Sequence, residues 1–135
     1  KNLGELFVVR TAGNIADPVA LGSIEYAVEH LHARLLVVLG HEKCGAVAAA
    51  AAGGKMPTPN LEAIVKKITP ALKPLQQGGA TGDLLTSLGV ESNVRLSARD
   101  LVKNSEILHH EADAGKLMII PAVYRLASGE VTRIG

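Results

Sequence analysis

Two side chains in this sequence could together do metal chemistry: His41 and Cys44, an imidazole and a thiol three positions apart in Gly40-His41-Glu42-Lys43-Cys44-Gly45. A neutral imidazole nitrogen and a thiolate sulfur are ordinary zinc donors, and a zinc with one open coordination position activates a bound water. Cys44 is the single cysteine of the chain, so an internal disulfide is excluded. It reads either as a metal-binding or reactive thiol or as a small buried apolar residue. A His-x-x-Cys pair alone is a weak pattern, and its placement has to carry the argument.

That placement is the end of a strand. Leu35-Leu36-Val37-Val38-Leu39 is an unbroken apolar run, which predicts a strand buried on both faces. Gly40 and Gly45 flank the pair and let the backbone turn sharply. In open α/β sheets, ligands bind just beyond the carboxyl ends of the strands.

The remaining elements follow from pattern. Leu6-Phe7-Val8-Val9 predicts a buried strand ending at Arg10, and Ala12-Gly13-Asn14 breaks it. Asp17-Pro18 is an N-cap followed by a first-turn proline, and Ala20, Ile24, Ala27, Val28 and Leu31 then recur at helical spacing. Strand, helix and strand in succession predict a parallel crossover unit. The alanine run from Ala46 to Ala52 predicts a helix closed by Gly53-Gly54. Asn60 predicts the cap of the next helix, which Pro70 and Pro74 restrict. From about Gly82 a long helical region presents Val94, Ala98, Leu101, Ser105, Leu108 and Ala112 on one face, down to Gly115. Lys116 to Ile120 reads as a further buried strand. Pro121 implies that pairing there is interrupted on one side or that the strand lies near an edge. Ser128-Gly129 and Glu130 to Ile134 predict a turn and a short antiparallel edge strand.

Length and composition bound the class. One domain spanning residues 1–135 is expected from 135 residues. Hydrophobic residues make up 47% and charged ones 20%, which excludes a disordered chain. The longest apolar stretches are too short to span a bilayer, so no membrane partner is expected. A net charge of +1 with dispersed Lys and Arg, and only Phe7, Tyr26 and Tyr124 as aromatics, excludes a nucleic-acid interface built on a basic patch and stacking platforms. The four other histidines, His30, His32, His109 and His110, lie near predicted helix C-termini, where cationic side chains are favoured, and read as surface residues.

The motifs together resemble the β-class carbonic anhydrases. Gly4-Glu5-Leu6-Phe7-Val8-Val9-Arg10-Thr11-Ala12-Gly13-Asn14, Gly22 to Val28, Val37-Val38-Leu39-Gly40-His41 with Cys44-Gly45-Ala46, Glu91-Ser92-Asn93-Val94, and the closing segments from Gly115 through Val131 are similar to that family in order. The resemblance implies an α/β fold with a mostly parallel central sheet, flanking helices and a C-terminal antiparallel edge strand. It implies reversible hydration of carbon dioxide to bicarbonate and a proton by zinc-activated hydroxide. His41 and Cys44 would be metal ligands. Asn14 and Gly45 would line the substrate region, although Asn14 also reads as a turn residue. Arg10 reads as an exposed charge or an interface ion-pair partner. A homodimer or larger homo-oligomer and a cytoplasmic location are implied, with the periplasm left open.

One family feature has no counterpart. The Cys-x-Asp-x-Arg motif, which supplies another zinc thiolate and an Asp-Arg pair, lies in the family on a strand ahead of the Gly4 segment, so no catalytic Asp-Arg pair is assigned here. That strand belongs between the first two strands of this sequence. The preferred expectation is that these residues are the retained part of a longer enzyme; a neighbouring chain or separate fragment filling the gap is the second. A carbon disulfide or carbonyl sulfide hydrolase, and a metal-free interaction module, are the alternative functions.

Overall fold

Helix α1 (Pro18–Glu29) starts where the Asp17 carboxylate accepts a hydrogen bond from the Ala20 amide and Pro18 takes the first turn. This is the cap expected of Asp-Pro. The computed structural model describes residues 1–135. After α1 come strand β1 (Leu35–His41), α2 (Gly45–Ala52), α3 (Pro59–Gln77), α4 (Gly82–Lys103), α5 (Glu106–Asp113), β2 (Met118–Tyr124) and β3 (Val131–Arg133). None of the helices is long and apolar enough to cross a membrane.

The sheet order is β1-β2-β3. β1 and β2 pair in parallel from Leu35 with Met118 to His41 with Tyr124, and β2 pairs antiparallel with β3 from Ala122 to Tyr124. The mostly parallel sheet with an antiparallel edge strand is therefore as expected. Pro121 sits in the central strand, and the sheet accommodates it by interruption: the β3 ladder begins only at Ala122, while the Pro121 carbonyl accepts from the Ile134 amide at 3.0 Å.

Helix α4 is the central support. It packs on β1 and β2 and also against α2, α3 and α5. Its Val94 and Leu101 are fully buried with Val47 of α2, Ile68 and Leu72 of α3, Leu108 of α5 and Val123 of β2. Side chains of this kind contribute about 1.5–3 kcal/mol each when buried rather than exposed. At Gly89 a β-carbon would collide with the Leu72 side chain, so glycine lets α3 and α4 pack closely there.

Several expectations are corrected. Residues Leu6–Val9 form no strand; no neighbouring strand offers them a ladder, and Leu6, Phe7 and Val8 stay exposed. The parallel crossover expected between them and β1 is therefore not formed. β1 is not covered on both faces: Leu35, Val37 and Leu39 are exposed, while Val38 and Gly40 are buried. The α3 cap is Thr58, whose hydroxyl accepts from the Leu61 amide, with Pro59 in the first turn where Asn60 was expected to cap. Pro70 and Pro74 lie inside a continuous α3, both on its exposed side. The long helical region from Gly82 is two helices. Ser105 starts the second by accepting from the Leu108 amide and donating to Glu25 of α1 at 2.6 Å, which turns the chain at Asn104.

Candidate metal centre

His41 is the last residue of β1 and lies opposite Tyr124, while Cys44 is the N-cap of α2 and is 4% exposed. The two predicted donors thus occupy the carboxyl end of a strand and the start of the helix that follows it. Gly40 is required there: a β-carbon would collide with Val94 of α4, so α4 abuts the strand end. Lys43 carries the tight turn with φ of 53°, a left-handed conformation uncommon outside glycine, asparagine and aspartate.

The His41 ring has a defined orientation. Its Nδ1 lies 2.8 Å from the Glu42 carbonyl oxygen. A carbonyl can only accept, so in the neutral ring Nδ1 carries the proton and the Nε2 lone pair is left free. Ligating histidines typically use their second nitrogen in this way. Cys44 makes no side-chain capping bond, and its sulfur has no competing hydrogen-bond partner.

Asn14, in the turn Ala12–Asn14, has φ of 45° and donates through Nδ2 to Ser97 of α4 at 3.1 Å. Its Oδ1 lies 3.5 Å from the position a β-carbon would take on Gly40, which puts Asn14 beside the end of β1. Gly45 opens α2, and the space above its α-carbon is empty. Arg10 is exposed and takes part in none of the ion pairs. The other histidines stay at helix ends: His30 packs at a tilt against Tyr26 with ring centroids 4.9 Å apart, and His109 pairs with Asp113 at 3.1 Å.

Sequence reading missed three contributors. Buried Asn93 donates to the Gly13 carbonyl and so fixes the turn carrying Asn14. Ser97 holds Asn14 itself. Glu42 is bound by residues 125 and 126. The spacing Asn93 and Ser97, four apart on one helix face, was the available signal for the first two; nothing local marks Glu42.

The donor types fit zinc, with an imidazole whose free nitrogen is defined and a thiol three residues on at the start of the next helix. No group of three or more His, Cys, Asp or Glu side chains converges in the chain. A catalytic zinc normally takes three protein ligands, and His41 and Cys44 would be two of them. A cleft of about 810 Å³ runs past His41. It is lined by residues 6–11, by β1 from Leu36 to His41, and by Ser97 and Leu101 of α4. The backbone edge of β1 on the side away from β2 has no strand partner.

A family model described as carbonic anhydrase matches residues 1–131. The chain is 37% identical over 134 residues to a carbonic anhydrase of Mycolicibacterium smegmatis, covering 97% of this chain and 64% of that protein. It thus spans less than two thirds of the length of that curated relative. Among solved structures it is similar to the Coccomyxa β-carbonic anhydrase in complex with acetazolamide, at TM-score 0.86 and 25% identity, covering 98% of this chain and 62% of that one. It also shares the fold of a tetrameric β-carbonic anhydrase from Sordaria macrospora, at TM-score 0.85 and 24% identity, covering 99% and 70%. With its sequence matched over nearly its full length and its sheet and helices superposing on solved members, the chain belongs to the β-class carbonic anhydrase family.

Proposed function

We propose that the end of β1 serves the reversible hydration of carbon dioxide to bicarbonate and a proton, with His41 Nε2 and Cys44 Sγ as zinc ligands. The observation that carries this reading is the His41 ring, whose Nδ1–H is committed to the Glu42 carbonyl so that Nε2 is left as a donor, three residues ahead of the chain's one thiol. Zinc, when bound, supplies Lewis-acid activation of a water. The chain's own residues do the rest. Asn14 offers a side-chain amide at the site entrance, held by Ser97. Gly45 leaves open space at the start of α2 where a small substrate approaches the backbone.

The remaining donors belong, on this reading, to one further strand seated in the cleft between residues 6–11 and β1. An extended segment there would pair with the free edge of β1 and bring its side chains to the strand end where His41 lies. The exposed apolar face formed by Leu35, Val37, Leu39 and Met118 supports self-association into a homodimer or larger assembly.

Stopped-flow assay of carbon dioxide hydration on the complete gene product, loaded with zinc, tests the reading. His41→Ala and Cys44→Ala should each lower kcat/KM by about a hundredfold or more, as loss of a metal ligand does. Hydration at an unchanged rate in either variant would refute it.

A further inference from the structure

We propose that Glu42, clamped by the loop after β2, is a positioning residue that sets the tautomer and orientation of His41; the proposal rests on the reading of His41 as a ligand. Glu42 stands between the two donors and contributes from both its backbone and its side chain. Its amide donates to the Tyr124 carbonyl at 3.1 Å, carrying the β1–β2 ladder one residue past the strand. Its Oε2 accepts from the Leu126 amide at 3.0 Å, and its Oε1 lies 3.4 Å from Arg125 Nη1. Its carbonyl oxygen is the acceptor for His41 Nδ1.

The clamp itself is anchored. Arg125 Nη2 pairs with Glu91 of α4 at 3.6 Å, and its Nε donates to Thr132 of β3 at 3.3 Å. The Arg125 backbone is fixed by Glu130 and Gly129, each at 2.8 Å. The Arg125 and Glu42 side chains are 30% and 38% exposed, so the long ion pair is screened, and the shorter bond from the Leu126 amide to the carboxylate is the stronger hold. The three attachments of Glu42 to residues 124–126 leave its carbonyl little freedom. That carbonyl decides which His41 nitrogen is protonated. Without the clamp, the neighbouring Lys43, in a left-handed conformation, is free to relax and carry the peptide away from the ring.

Long-range proton–nitrogen NMR of the His41 ring on the metal-free chain at slightly alkaline pH reads the tautomer directly, with zinc affinity by competition titration as the second measurement. Wild type should show Nδ1–H. Glu42→Ala should shift His41 toward Nε2–H and weaken zinc binding by roughly ten- to a hundredfold, the usual cost of losing support to a metal-bound histidine. Glu42→Gln, which keeps an acceptor for the Leu126 amide, should restore most of both. Unchanged Nδ1–H in folded Glu42→Ala overturns the proposal, as does a Glu42→Gln variant no better than alanine. If the tautomer shifts as expected but zinc binds no less well in His41→Ala than in wild type, the positioning stands and the ligand reading fails.

Discussion

The side-chain amide of Asn93 donates to the Gly13 carbonyl at 2.8 Å across 80 residues of sequence, and Asn93 is 1% exposed. A helix in the middle of the fold thus holds the turn that places Asn14 beside the end of β1. Asn93→Ala leaves a carbonyl without its partner and should destabilise the chain by about 1–3 kcal/mol. Asn93→Asp should cost more, because a carboxylate then faces a carbonyl oxygen. Urea denaturation measures both, and a loss below the range for alanine would show that the turn holds without Asn93.

Gly40 places the strand end against Val94. Gly40→Ala should cost about 1–3 kcal/mol by overpacking. Val94→Ala in the same chain should recover part of that loss, so that the double variant is more stable than the two single effects predict, by about 1 kcal/mol. Additive effects by thermal or chemical denaturation would mean that the collision is absorbed elsewhere.

The sheet face carrying Leu35, Val37, Leu39 and Met118 lies open, with Met118, outside the cleft lining, 59% exposed. Met118→Lys should therefore leave the fold intact while shifting the assembly toward the monomer by sedimentation velocity. Wild-type assembly in the variant would place the interface elsewhere.

The elements legible in the sequence were those with local punctuation. Asp17-Pro18 announced α1, Gly53 closed α2, and the apolar runs marked β1 and β2. The strand failures have one physical cause, which is that strands are defined by neighbours. Leu6–Val9 has the composition of a strand and no partner, and the run at β1 has the composition of a doubly covered strand with one face bare. The break at Asn104 was hidden because Ser105 continues the helical stripe while its hydroxyl answers to Glu25, 80 residues away. The placement of His41 and Cys44 at a strand end followed from the run and the glycines. The supports of that site, Asn93, Ser97 and Glu42, did not, because their partners are 80, 83 and 83 residues distant.

X-ray absorption at the zinc edge of the complete, zinc-loaded gene product tests the central claim, that His41 and Cys44 hold the metal. Wild type should show sulfur at about 2.3 Å and imidazole nitrogen at about 2.0 Å, with one sulfur fewer in Cys44→Ser and the imidazole signal lost in His41→Ala. A zinc shell that is the same in wild type and both variants would contradict it.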